Sequence, residues 1–140
     1  MSIWFQPVTL EQVRRFGVSM PTHIGIEFTE IGEDFIRGRM PVDDRTRQPF
    51  GILHGGASVA LAETLGSTGA GLAVDRSKYR CVGQEINANH VRAVKDGFVI
   101  GTARPLHIGK RSHVWEIRIT DEQDRLVCIS RLTMAVLDVA

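Results

Sequence analysis

Residues Gly51 to Val74 read GILHGGASVALAETLGSTGAGLAV, twenty-four positions that are small or aliphatic, with only His54 and Glu63 able to titrate. The length would suit a membrane span. Six glycines, scattered Ser and Thr residues and a mid-segment glutamate argue against one and for a buried helix. On a helical wheel Leu61, Leu65 and Leu72 fall on one side and Glu63 on the other. The leucines are therefore expected to face the rest of the fold. Around Glu63 the wheel places Gly56, Val59, Ala60, Gly66, Ser67 and Ala70, small side chains that let another backbone or a ligand come close.

The flanking sequence has a different period. Before the helix, two β-like runs, Ile24 to Ile31 and Phe35 to Val42, are joined by Gly32-Glu33-Asp34, which has the composition of a hairpin turn. A short helix from Thr9 to about Phe16 precedes them, since Thr9 and Gln12 have the spacing of a capping box and Gly17 offers a stop. It reads as an edge decoration. After the helix come four candidate strands, Cys81 to Val94, Phe98 to Ile108, Ser112 to Thr120 and Arg125 to Leu137, separated by turn residues and read as a meander. Within Ser112 to Thr120, His113, Trp115, Ile117 and Ile119 alternate with Val114, Glu116 and Arg118, as in a sheet with unlike faces. The pattern defines an α+β chain, an antiparallel sheet of about six strands lying over one long central helix. One helix leaves part of such a sheet uncovered, so a homo-oligomer, at least a dimer, is expected.

The chain has 140 residues, the size of one domain, and nothing within residues 1–140 suggests a boundary. Seventeen Lys and Arg against sixteen Asp and Glu leave a net charge of +1, so no overall field draws the protein to nucleic acid or membrane. Met1-Ser2-Ile3-Trp4-Phe5 lacks the features of a secretory signal, and a cytoplasmic location is expected. Cys81 and Cys128 are too few and too far apart for a disulfide framework or a zinc knuckle, and both read as buried thiols.

A carboxylate on a buried helix needs a partner or a task. Glu63 can form a structural ion pair with Arg92, Arg131 or a histidine, or it can do chemistry at the floor of a cavity. His54-Gly55-Gly56 stands where the helix begins, with unpaired backbone N–H groups and the positive end of the helix dipole, a place that can hold a developing oxyanion. Gly55 and Glu63 are about 12 Å apart along the axis at ~1.5 Å per residue. That is too far within one chain, whereas two helices packed antiparallel across a two-fold would bring Glu63 of one near Gly55 of the other.

The run Gln48-Pro49-Phe50-Gly51-Ile52-Leu53-His54-Gly55-Gly56-Ala57-Ser58, followed by Ala62-Glu63-Thr64-Leu65-Gly66-Ser67, resembles the hot-dog acyl-CoA thioesterases. Glu85-Ile86-Asn87-Ala88-Asn89-His90-Val91-Arg92, Pro105-Leu106-His107-Ile108-Gly109 and Met40-Pro41-Val42-Asp43 extend the likeness over nearly the whole chain. Its wording is that of the bacterial branch acting on aroyl-CoA esters, which includes the dihydroxynaphthoyl-CoA hydrolases of menaquinone synthesis and the proofreading thioesterases of enterobactin synthesis.

The resemblance implies a hot-dog fold, dimers that pair into tetramers, and active sites shared between two subunits. It implies that Glu63 attacks the thioester carbonyl or activates water to do so. The N–H of Gly55 polarises the carbonyl, Gln48 and His54 orient the thioester, and Ser67 holds water or the carboxylate. CoA falls on Gly83, on His90, Val91, Arg92 and Ala93, and on His107, Ile108, Gly109, Lys110, Arg111 and Ser112. No metal and no cofactor are implied, the CoA thioester being the substrate. Each residue also has a plainer reading: Gln48 a loop residue, His54 a helix cap, Ser67 a packing residue, Lys110 and Arg111 a solvated pair. Two other functions share the fold, an enoyl-CoA hydratase or dehydratase using His54 with Glu63, and a non-catalytic acyl-CoA binder.

Overall fold

His113, Trp115, Ile117 and Ile119, one face of the alternating run, are all fully buried in the computed structural model of the chain, which describes residues 1–15 and 17–139. They lie on β5 (Ser112–Thr120), near the middle of a six-stranded antiparallel sheet. The other strands are β1 (Glu27–Ile31), β2 (Ile36–Pro41), β3 (Tyr79–His90), β4 (Phe98–Ile108) and β6 (Leu126–Asp138). Their order across the sheet is β1-β2-β4-β5-β6-β3. Two short helices, α1 (Leu10–Val13) and α2 (Met20–His23), precede the sheet, and the long helix α3 (Gly55–Leu72) lies against β2 to β6. Among the described residues no helix is long and apolar enough to cross a membrane.

Two expectations need correction. The last four strands are not one meander. β4, β5 and β6 are consecutive neighbours, but β3 pairs with β6 and stands at the far edge, so residues 91–97 cross the end of the sheet to reach β4. The long helix begins at Gly55 with His54 as its cap, where His54-Gly55-Gly56 was expected to start it. The run read as a strand from Ile24 begins at Glu27, because Met20–His23 makes a helical turn closed by Ser19 and Thr22. The capping box of Thr9 and Gln12 is present, while Phe16, where that helix was expected to end, lies outside the described residues.

Leu61 and Leu65 face the sheet as the wheel requires and are fully buried, while Leu72 is half-buried. Gly66, which the wheel placed around Glu63, packs against Leu132 and Ile117 of the sheet, and Ala70 is buried as well. A Cβ on Gly66 would stand 2.6 Å from Leu132 Cδ2, and one on Gly101 of β4 would stand 2.6 Å from Leu65 Cδ1. Helix and sheet approach so closely because each offers a hydrogen where the other has a leucine. The thiols of Cys81 and Cys128 are both free. Cys128 is buried, Cys81 only half-buried, and burial pushes both up.

The first residues are tied down. Ile3 N donates to Glu33 O and Phe5 N to Leu72 O, each at 2.9 Å. Trp4 stacks on Trp115 with ring centroids 6.4 Å apart and 9° between planes, and its Nε1 donates to Gly32 O at 2.8 Å. Trp115 Nε1 in turn donates to His113 Nδ1 at 3.3 Å. The proton of His113 is therefore on Nε2, which is buried without a partner among the described residues. Burial pushes the His113 pKa down, and the neighbouring His107 pushes it the same way. The fold thus holds His113 neutral, while the unfolded chain takes up a proton near pH ~6.5. Stability from this group is complete above that pH and is lost as pH falls towards the lower folded value. Urea midpoints of the wild type should drop between pH 7 and 5, and His113→Phe should flatten that drop; equal slopes for both proteins would refute the assignment.

Candidate active site

The loop before α3 is built around Thr46, whose buried Oγ1 donates to Pro41 O at 2.8 Å and whose carbonyl accepts from His54 N at 2.8 Å. Gln48 closes a tight loop, its N–H donating to Ile52 O and its carbonyl accepting from Gly51 N. The Gln48 Oε1 accepts from Phe50 N, and among the described residues its amide NH2 has no acceptor. His54 is the N-cap of α3, with Nδ1 accepting from Gly56 N at 2.8 Å. This cap fixes the tautomer, leaving the imidazole N–H on Nε2. The cap reading of His54 is thus what the structure displays, and it also orients the ring. Among the described residues Gly55 N–H has no protein acceptor, and a Cβ on Gly55 would meet His90 Nε2 at 2.9 Å.

Further along α3, Glu63 is half-buried and shares a face with Thr64, Ser67 and Thr68. Among the described residues it makes no salt bridge, so the pairing considered with Arg92, Arg131 or a histidine is not formed. Arg131 lies on the opposite side of the sheet, in register with Glu116 and Asn87. The carboxylate instead lies on the backbone of β3, where a Cβ added to Gly83 would collide with Glu63 Oε2. The β3–β6 register slips between Gly83 and Glu85. A bulge next to a functional side chain is a common way to make room for it. One turn on, Ser67 Oγ donates to Met134 Sδ at 3.7 Å, a weak acceptor that a better one can displace.

Within one chain the expected site residues fall into two groups. At one end of the sheet stand Gln48, His54 and Gly55, with His90, Val91, Arg92 and Ala93 where β3 gives way to the crossing segment. At the other end stand Glu63, Ser67 and Gly83, with the β4–β5 turn. Met134 of β6 is opposite both Gly83 and His113, and His113 is opposite Ile108. His107, Ile108, Gly109, Lys110, Arg111 and Ser112 therefore belong to this second group. The turn is closed by Gly109 N donating to Ser112 O, and Lys110 and Arg111 are exposed. From Gly83 to His90 is seven residues of strand, roughly 23 Å at ~3.3 Å each.

The Glu63 face opens on a cavity of about 1050 Å3. α3 forms one wall with Glu63, Thr64, Ser67 and Thr68, and the segment around α1 forms another with Phe5, Val8, Gln12 and Arg15. The sequence reading missed this second wall. The capping box marked the short helix, but only tertiary packing decides that it covers the Glu63 face. Such a cavity, part apolar and part polar beside an unpaired carboxylate, suits a ligand with a flat or aliphatic body and a carbonyl to be attacked.

The profile of the Thioesterase superfamily matches residues 50–128, which carry α3 and most of the sheet. The chain belongs to this superfamily, has its hot-dog fold, and is a thioester hydrolase. Among its relatives, the 1,4-dihydroxy-2-naphthoyl-CoA hydrolase of Escherichia coli K12 is 51% identical over 136 residues, covering 96% of this chain and 99% of that one. The proofreading thioesterase EntH of Cronobacter turicensis is 52% identical over 136 residues, covering 96% and 98%. A solved structure of a mutant thioesterase from Pseudomonas aeruginosa superposes with a TM-score of 0.96 at 47% identity, covering 99% of this chain and all of that one.

Proposed function

We propose that the protein hydrolyses aroyl-CoA thioesters to the free acid and CoA, at sites each completed by two copies of the chain. The observation that carries this reading is the division of the site: an unpaired carboxylate with its cavity at one end of β3, and an open helix N-terminus at the other. β3 is a twelve-residue edge strand with exposed polar groups, and an unpaired edge is a template for a second chain. Antiparallel pairing of two β3 strands about their middle brings Glu63 of one copy to Gly55 of the other, and such dimers can pair into tetramers.

In this arrangement Gly55 N–H and the end of the α3 dipole take up the negative charge that develops on the thioester oxygen. Gln48 NH2 and His54 Nε2–H orient the ester. Glu63 either attacks the carbonyl carbon, forming an anhydride as the C–S bond breaks and CoA thiolate leaves, after which water cleaves the anhydride and its proton passes to the thiolate, or it removes a proton from the attacking water and passes it to the thiolate as the C–S bond breaks. Both routes end with the acid, CoA and an unchanged carboxylate. Ser67 holds the water or the carboxylate once its hydroxyl leaves Met134. The steps use the chain's own groups and water. CoA lies along Gly83, His90 to Ala93 and the His107 to Ser112 turn, with Lys110 and Arg111 meeting phosphate. The dihydroxynaphthoyl-CoA relative supports an aromatic acyl group.

Thiol release from benzoyl-, hydroxynaphthoyl- and hexanoyl-CoA tests the reading. Aroyl esters should be turned over with the higher kcat/KM, and absence of thiol release from all three would overturn it. Hydration of crotonyl-CoA without CoA release would instead establish a hydratase. Shared sites predict complementation. Glu63→Gln spoils one half-site and Gly55→Pro, which keeps a helix start but removes the N–H, spoils the other. Each alone should be inactive; after co-refolding about one quarter of wild-type activity should return, since half the dimers are mixed and each has one intact site of two. No recovery in mixed dimers identified by mass would refute a shared site.

A further inference from the structure

The segment before β1 is more than a cover. Backbone bonds from Ile3 and Phe5 and the Trp4–Trp115 stack hold it in place, and its Gln12 lines the same cavity as Glu63. The hydrogen bonds on the two walls have a definite polarity. Thr64 Oγ1 donates to Ala60 O and Thr68 Oγ1 to Thr64 O, each at 2.7 Å. Each hydroxyl has one hydrogen, so both threonines face the cavity side of α3 as acceptors only. On Gln12 the reverse holds. Its Oε1 accepts from Thr9 N at 2.9 Å in the capping box, and among the described residues its Nε2 has no acceptor. One wall therefore accepts and the other donates.

We infer that Gln12 is a specificity-determining residue. Its amide donates to an oxygen substituent on the acyl group, while Thr64 and Thr68 accept that substituent's hydrogen, so the pair of walls reads a hydroxyl. This rests on the proposal that the Glu63 cavity holds the acyl group. Gln12 is exposed in the single chain, so water serves its amide there; a hydroxyl fulfils both requirements, whereas an unsubstituted ring that displaces this water leaves donor and acceptor without partners. A site built to bond a hydroxyl discriminates strongly against the analogue that lacks one.

The measurement is the ratio of kcat/KM for hydroxybenzoyl-CoA isomers to that for benzoyl-CoA. Gln12→Met should lower the ratio for the preferred isomer about tenfold. That variant also opens the capping box, so Thr9→Val, which opens the box and leaves the amide, is the second protein. It should keep the ratio within about twofold of wild type. A Gln12→Met ratio within twofold of wild type overturns the inference, as does an equal fall in Thr9→Val. In either case, aroyl turnover that is lost in Glu63→Gln leaves the proposed function standing. Absence of aroyl turnover in the wild type removes both together.

Discussion

Glu63→Gln should lower thioester turnover about a hundredfold or more while leaving fold and stability near those of the wild type. The size follows from the chemistry proposed for the group. An amide is neither a nucleophile nor a base at neutral pH, and losing two decades of rate corresponds to about 2.7 kcal/mol of transition-state stabilisation. The small structural cost follows from the surroundings. Glu63 is half-buried, makes no salt bridge among the described residues, and lies against Gly83, where a glutamine of the same shape fits. Two measurements separate the effects: steady-state thiol release, and the urea midpoint. Rate loss with an unchanged midpoint supports a chemical role. An active variant, or one that loses rate only because it unfolds, would return Glu63 to a packing residue.

The largest effect on stability should come from Trp115→Ala. Trp115 is fully buried, stacks on Trp4, donates to His113, and lies under α3, where a Cβ on Gly69 would stand 2.9 Å from its ring. Replacing a buried aromatic with alanine costs about 3–5 kcal/mol, and the lost stack about 1 kcal/mol beyond the area. For a chain of this size such a loss lowers Tm by roughly 10–20 °C. Both walls of the cavity depend on this ring, the helix directly and the N-terminal segment through Trp4. Any folded fraction should therefore also lose selectivity among acyl groups. A Tm shift of only a few degrees would mean that neighbouring side chains close the gap.

Where the physics is local, the sequence is readable. Phe98–Ile108 and Ser112–Thr120 have the bounds that alternation and turn residues give them, and the long helix differs only at its ends. Glu63 stood out because it alone is acidic in an apolar segment. What was hidden depends on contacts distant in sequence. The place of β3 at the edge is decided by its pairing with β6, from His90 with Cys128 to Tyr79 with Asp138, partners distant in sequence, and nothing within Tyr79–His90 distinguishes one side of the sheet from the other. Gly66 lies on the Glu63 half of the helical wheel, and its contact with the sheet is settled by Leu132 and Ile117, not by period. The two ends of the site were named together by family likeness; helix rise already separates Gly55 from Glu63 within one chain, and the strand register adds that Gly83 and His90 stand with opposite ends. Gln12 was visible as a cap but not as part of a wall.

The five glycines of α3 have a consequence for how the chain acquires its shape. Each weakens an isolated helix by ~1 kcal/mol relative to alanine, and eighteen residues with so many would be largely disordered in water. The element that carries Glu63 therefore gains its order from the sheet. The β4–β5–β6 hairpins, joined by short turns, are the units that close the smallest loops and can form first. In that order the helix would condense onto a surface already present, and a partly folded chain would have strands before it has a positioned carboxylate. Reactivity is in this sense the last property that folding confers.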